Sequence, residues 1–257
     1  MLNKLKEGDF ATLRGPLESG RQSPANFSGI LILSIFLQLL MLVLTYLVGA
    51  DRSIFPHISI IFIVHLLITG LLIILSVVYA IPSVYIKSQK TQYLLSILIS
   101  QNIFGVSFYI TALFFIGKER SITVESLLTF TFITLLIGLM IFLTTCVRFY
   151  RLLKGGQYRK GTKRDKVRSK TESKVKSHLP MIIVASIGLL FIIQYLVNIF
   201  GWNDTEEIMI VLLGILLFYA MLFILPEQLV ILYCKYRFES FNFNENGELK
   251  PMGRKGA

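Results

Sequence analysis

Cysteine, histidine and acidic side chains are scarce in this chain, and each shortage closes off a kind of chemistry. Two cysteines, Cys146 and Cys234, and three histidines, His57, His65 and His178, stand among 257 residues. Neither cysteine belongs to a CxxC pair or to a Cys/His cluster of metal-ligand spacing. No HExxH, Ser/His/Asp set or phosphate-cradling glycine loop is present. An enzymatic activity, a cofactor and a metal centre are therefore not expected. Asp and Glu number 15 against 26 Lys and Arg, and no acid falls in the middle of an apolar run. The alternating, roughly ten-residue pattern that builds a membrane barrel is missing too.

Apolar length, by contrast, is abundant: 54% of the residues are hydrophobic. Six runs, 27–48, 58–81, 93–116, 127–147, 180–200 and 208–233, each reach the roughly 20 residues that a helix rising about 1.5 Å per residue needs to cross a hydrocarbon layer of about 30 Å. A helix satisfies its own backbone groups in lipid without a closed sheet. The expectation is an all-α, polytopic transmembrane bundle of six spans. Residues 1–26 are mostly polar and no small-residue cleavage site closes the first run, so that run reads as a retained span rather than a signal peptide.

Charge orients the bundle. With both termini in the cytoplasm, 23 of the 26 Lys and Arg stay inside and only Arg52, Lys118 and Arg120 lie outside; the opposite orientation would translocate the 23. This predicts a multi-pass membrane protein with a cytoplasmic tail over 1–26, a four-span block over 27–147, a basic cytoplasmic loop over 148–179, a two-span hairpin over 180–233 and a cytoplasmic tail over 234–257. Both cysteines then sit at cytoplasmic span ends, where thiols stay reduced. The outer loops are short, which puts function in the membrane or the cytoplasm. In the last of them Trp202 suits the headgroup level, and Asp204 and Thr205 suit a helix cap. The Asn203-Asp204-Thr205 sequon is read as chance in a loop that hugs the membrane.

Twelve Lys and Arg fall between Arg148 and His178, most densely at Arg159, Lys160, Lys163, Arg164, Lys166 and Arg168. Such a stretch has too few apolar side chains to fold alone. Its charge enforces topology and suits docking to anionic inner-leaflet headgroups or an acidic partner, each cation contributing about 1 kcal/mol at a lipid surface. Without interleaved aromatics for base stacking, nucleic acid is disfavoured. In the C-terminal tail, the weak alternation at 238–243 and the Asn246-Gly247 turn dipeptide leave a small hairpin and a disordered tail both open.

Polar side chains inside the runs are the remaining candidates. Counted along their helices, Gln38, Gln101 and Asn102 come near the midplane, so the first and third spans are expected to share a polar centre. His65 and Gln194 reach a common depth, with Asn198 a turn away, and an intramembrane ionisable group is a functional suspect by default. Pro226 should loosen the last helix beside Glu227, which comes close enough to the inner boundary to reach water. Gly70, Gly105, Gly138, Gly188 and Gly214 place one glycine near the middle of each later span, where it permits close helix approach.

The run from Leu225 to Phe238, with the Phe241-Asn242-Phe243 that follows, resembles small polytopic membrane proteins of unknown function from Gram-positive bacteria, some of them encoded beside type VII secretion clusters. The resemblance implies an accessory or immunity role at the plasma membrane. The leading expectation is a non-enzymatic protein that works through protein–protein interaction in the membrane. A small solute channel or transporter lined by Gln38, His65, Gln101, Asn102, Gln194 and Asn198 is the alternative, with lipid organisation by the basic loop as a third.

Overall fold

The computed structural model describes residues 2–168 and 205–253. Among these the chain is all helix and turn, with a single antiparallel bridge, Phe243 to Leu249, in the C-terminal tail. Five helices are long and apolar enough to cross a membrane: α1 Pro24–Gly49, α2 Ile58–Ala80, α3 Gln89–Ile116, α4 Val124–Lys154 and α5 Thr205–Arg237. The run at 180–200, with Gly188, Gln194 and Asn198, lies outside the described residues, as do the sequon and Trp202.

Local chemistry sets the helix ends. α1 begins earlier than its apolar run because the Ser23 side chain accepts from the Asn26 amide at 3.3 Å and Pro24 takes the first turn, where its missing N–H costs nothing. Thr123 starts α4 in the same way, accepting from Ser126 N at 3.2 Å. α4 then runs past the end of its apolar stretch to Lys154, so Arg148, Arg151 and Lys154 are helical rather than part of a loop. Cations in a last turn complement the partial negative charge of a helix C-terminus. Two stretches widen into π-helix, Leu44–Gly49 at the end of α1 and Gln101–Ser107 in the middle of α3.

The central helix is α3: 61% of its most apolar stretch is buried, against 28% or less for the other four. α1 runs parallel to it, with Phe27 on Tyr93 and Thr45 on Thr111. α2 and α4 run antiparallel to it, through Thr69 to Asn102 and Tyr109 to Thr134. α5 is antiparallel as well, Gly214 resting on Phe108 and Ala112 while Gly105 faces Met221. α4 and α5 are therefore parallel neighbours, and Gly138 lies against Phe218 and Leu222.

The glycines divide accordingly. A Cβ on Gly214 would stand 2.6 Å from the Phe108 carbonyl oxygen and one on Gly138 would stand 2.9 Å from Leu222, whereas Gly70 has no described atom within 4 Å. Close approach explains Gly214 and Gly138 but not Gly70. α5 continues through Pro226 as a helix.

At the end where both termini lie, the chain folds into a cap. The 3-10 helix Glu7–Arg14 is buried from Asp9 onwards. Phe10 and Leu13 pack with Phe149 and Leu153 of α4, Tyr158, Ile231 and Cys234 of α5, and Phe241 and Phe243 of the tail. Thr12 N donates to Tyr158 O at 2.8 Å, and Arg237 reaches the Leu2 and Asn3 carbonyls at 2.8 and 2.7 Å. Residues 155–168 are thus ordered by surfaces that 1–26 and the tail supply, which a reading of the basic stretch in isolation could not include. The tail takes the hairpin alternative, turning at Gly247 with φ of 78°.

Asp9 clamps this cap. Burial alone opposes its charge, but the Lys6 amide at 2.8 Å and the Arg159 guanidinium at 2.7 Å outweigh that and hold the carboxyl below its ordinary value. The stabilisation is complete above the unfolded carboxylate range and is lost as pH falls through the lowered folded value. Asp9→Asn should therefore lower the melting temperature in detergent at neutral pH, with the gap to wild type closing under acid. In the bundle, Gly214→Ala should cost about 1–3 kcal/mol in the same assay by forcing α3 and α5 apart, while Gly70→Ala should be neutral or stabilising by up to about 1 kcal/mol.

Candidate functional site

About a third of the way along α2, about 10 Å from its start, the His65 ring is enclosed, with 4% of the residue exposed. Both ring nitrogens are engaged. Nδ1 lies 3.0 Å from the Tyr46 hydroxyl and Nε2 lies 3.2 Å from Ser107 Oγ. The Ser107 hydroxyl donates to the Asn102 carbonyl at 2.8 Å, so its oxygen is left to accept from His65 Nε2–H. Tyr46 then donates to Nδ1. A neutral imidazole with its proton on Nε2 completes every one of these bonds.

Neighbouring polar groups extend the network. Asn102 Nδ2 donates to Thr69 Oγ1 at 3.0 Å, Thr111 Oγ1 donates to the Ser107 carbonyl at 2.8 Å, and Thr45 and Thr111 share a hydrogen bond of 2.8 Å. Four of the contributors, Thr45, Tyr46, Asn102 and Ser107, come from the two π-helical stretches. π-turns inside α-helices recur at functional sites. Here the wider turn brings the backbone carbonyl of Asn102, five residues back, to the Ser107 hydroxyl, whereas in a regular α-helix a serine bonds back to the carbonyl three or four residues before it.

The three midplane amides part company. Asn102 faces α2, whereas Gln101 Nε2 donates to the Met221 carbonyl of α5 at 3.1 Å. Adjacent residues on a helix point about 100° apart, so both cannot face α1. Met221 precedes Leu222, the carbonyl that Pro226 deprives of its helical donor. Gln38 of α1 is 1% exposed, and neither amide atom has a hydrogen-bond partner among the described residues. α1 and α3 do pack together, but their polar contacts are Thr45 with Thr111 and Gln92 Nε2 donating to the Pro24 carbonyl.

A lateral groove of about 590 Å³ runs along this site between α2 and α3, from Ile60 to Leu71. His65, Gln101 and Asn102 lie along it, and its walls include Val64, Ile68 and Val106. Apart from those three polar residues the lining is aliphatic.

The basic candidates lie elsewhere, in the cap. Arg159 pairs with Asp9 at 2.7 Å, Lys160 with Glu18 at 3.4 Å and Arg168 with Glu227 at 2.7 Å. Arg164 donates to the Tyr158 hydroxyl at 2.9 Å, while Lys163 and Lys166 are exposed. Glu227 is thus tied to the cap, and beside it Pro226 remains within α5. Lys235, which carried no signal in the sequence, is buried. Its ammonium donates to the Phe241 carbonyl at 3.0 Å and lies over the Tyr93 and Phe243 rings at 5.3 and 5.6 Å.

Among the described residues no three His, Cys, Asp or Glu side chains gather where a metal ion could be held. No protein-family model, curated protein or solved structure matches the chain.

Sequence reasoning singled out His65 and Asn102 but missed Tyr46, Thr69, Ser107 and Thr111. Hydroxyl residues are common in apolar helices and often bond only to their own backbone, as Ser76 does to Leu72. Ser107→Ala should therefore cost about 1 kcal/mol in denaturant unfolding of the protein in micelles. Combined with His65→Leu, its effect should be sub-additive by about 0.5 kcal/mol or more, because the two side chains share a bond. Ser96→Ala, which removes only a local bond to Tyr93 O, should leave stability within about 0.5 kcal/mol of wild type.

Proposed function

We propose that this chain is a non-enzymatic plasma-membrane protein that acts by binding another membrane protein, and that the partner seats a transmembrane helix in the groove between α2 and α3. The groove carries the reading. Among the described residues it is open to the side, it spans about three helical turns from Ile60 to Leu71, and its wall is aliphatic around His65 and Asn102, whose polar groups are already satisfied within the bundle. In lipid, where apolar side chains gain little from meeting each other, helix recognition depends on close packing. A partner helix with small residues facing Val64, Ile68 and Val106 fits this requirement.

The direction of the helices supports six crossings. α4 and α5 run parallel, and Arg168 pairs with Glu227 near the end that carries the termini. Arg168 and the start of α5 therefore lie at opposite ends of the bundle. The described ends of the chain share a side, and the distribution of Lys and Arg favours the cytoplasm for that side. The resemblance of the segment from Leu225 to Phe238 to small Gram-positive membrane proteins supports an immunity or secretion-accessory role.

A solute pathway has less behind it. Gln101 and Asn102 face different helices and are already hydrogen bonded, whereas a pore needs its polar groups on one shared inward face.

A photo-crosslinking residue at Ile68, half exposed in the groove, should trap one specific membrane protein in native membranes. The same probe at Phe132, on the open face of α4, should not. Filling the groove with Val64→Trp should abolish the adduct. Adducts only to lipid and unrelated neighbours, or back to the chain itself, would overturn the reading.

A further inference from the structure

A recess of about 580 Å³ opens at the end of the bundle that carries the termini, between the connection from α2 to α3 and the C-terminal hairpin. Its walls are clamped together. Gln89, in the first turn of α3, donates through Nε2 to the Phe243 carbonyl at 2.9 Å and accepts from the Phe243 amide at 2.9 Å. The charged lining consists of Lys87, Lys90, Lys250, Glu239 and Glu245.

These charges are not equivalent. Lys250 is spent on Glu239 at 2.5 Å, and that hydrogen bond holds the Glu239 carboxyl below its ordinary value. Lys90 lies over the Tyr236 ring at 5.4 Å and forms no ion pair among the described residues. Lys87 is exposed and likewise has no ion-pair partner among the described residues. Two cations therefore stand outside any ion pair among the described residues, Lys90 also acting on Glu239 from a distance, against one unpaired acid, Glu245.

Asn242 adds an acceptor. It lines the same recess while only 6% exposed. Its Nδ2 donates to the Lys235 and Phe238 carbonyls at 2.8 and 3.2 Å, which fixes the orientation of the amide. Its Oδ1 is left without a donor among the described residues, and a buried acceptor in that state favours a ligand that brings one.

The recess also has an apolar rim. Ile86 and Tyr236 of its lining are exposed. With α2 ending and α3 beginning here, the recess lies at the level where a bilayer changes from hydrocarbon to headgroup.

We propose that this recess binds the headgroup of an anionic glycerophospholipid. The phosphodiester faces the Lys87 and Lys90 ammonium groups, a headgroup hydroxyl donates to Asn242 Oδ1, and the acyl chains leave over Ile86 into the bilayer. Two cations outside ion pairs beside one unpaired acid suit a monoanionic phosphodiester better than a free polyphosphate, and the apolar rim gives a free anion nothing. The site is distinct from the basic loop, where Arg159, Lys160, Arg164 and Arg168 are already engaged within the cap. It does not depend on the groove between α2 and α3.

Native mass spectrometry of the full-length protein, released from detergent after incubation with phosphatidylglycerol or phosphatidylcholine, tests this. One phosphatidylglycerol per chain should be retained in preference to phosphatidylcholine, and millimolar inorganic phosphate should not displace it. Lys87→Gln and Lys90→Gln should each weaken retention about fivefold, as expected for one cation at a lipid surface. Lys163→Gln with Lys166→Gln should leave retention unchanged. All four lysines lie at least partly on the surface, so the variants should fold, and an unchanged melting temperature checks that. Equal retention of phosphatidylcholine, retention undiminished in the Lys87→Gln/Lys90→Gln double variant, loss in the Lys163/Lys166 variant instead, or displacement by inorganic phosphate would each overturn the proposal.

Discussion

An imidazole that cannot reach water has to find both of its hydrogen bonds inside the protein, and the middle of this bundle is arranged around that demand. A buried ring nitrogen without a partner costs on the order of 1–3 kcal/mol. His65 avoids the cost by drawing Tyr46 from α1 and Ser107 from α3, and both partners come from places where the helix has widened into a π-turn. The hydroxyl of Ser107 can serve His65 only because its own proton goes back to the Asn102 carbonyl. One side chain on α2 thereby ties together three helices, and Asn102 and Thr69 close the arrangement on the other side.

The end that carries the termini obeys a different logic, that of an ordinary water-soluble core. Phe10, Leu13, Phe149, Leu153, Tyr158 and Phe241 are brought together from three separate stretches of chain, and the salt bridge from Asp9 to Arg159 and the reach of Arg237 to the first residues hold those stretches in register. Cations that in a bare loop would be free for lipid are consumed in the process. The two cations at the recess between α3 and the tail stay outside any ion pair among the described residues because the fold puts only Glu245 near them without a partner of its own. Burial in the bundle and burial in the cap are linked through α4 and α5, whose last turns belong to both.

Much of the architecture was legible from apolar length and from charge. The helices 58–80 and 89–116 fall close to the runs read at 58–81 and 93–116, because the length of a span is dictated by the thickness of the bilayer. The departures have local causes. α1 starts at Pro24 because Ser23 caps it, and α4 ends at Lys154 because nothing stops a helix where its apolar residues stop. The pairing of Gln101 and Asn102 with different helices was not legible. Depth along a helix can be counted from the sequence, but the direction a side chain faces depends on the helix's rotation and on any π-turn that shifts it. The burial of Lys235 was equally hidden, since its partners, Tyr93, Phe241 and Phe243, are brought to it by the fold of the tail.

The amino-acid sequence by itself determined that the chain is helical, where its long apolar segments lie and which side the cations favour, because each of these follows from the transfer of short, contiguous segments between water and lipid. Tertiary structure alone decided which polar groups meet. Hydrogen bonds such as those of His65 with Tyr46 and Ser107, or of Thr12 with Tyr158, join residues far apart in the chain. Their geometry is set by helix rotation and packing to within a fraction of an ångström, a quantity that no single segment carries.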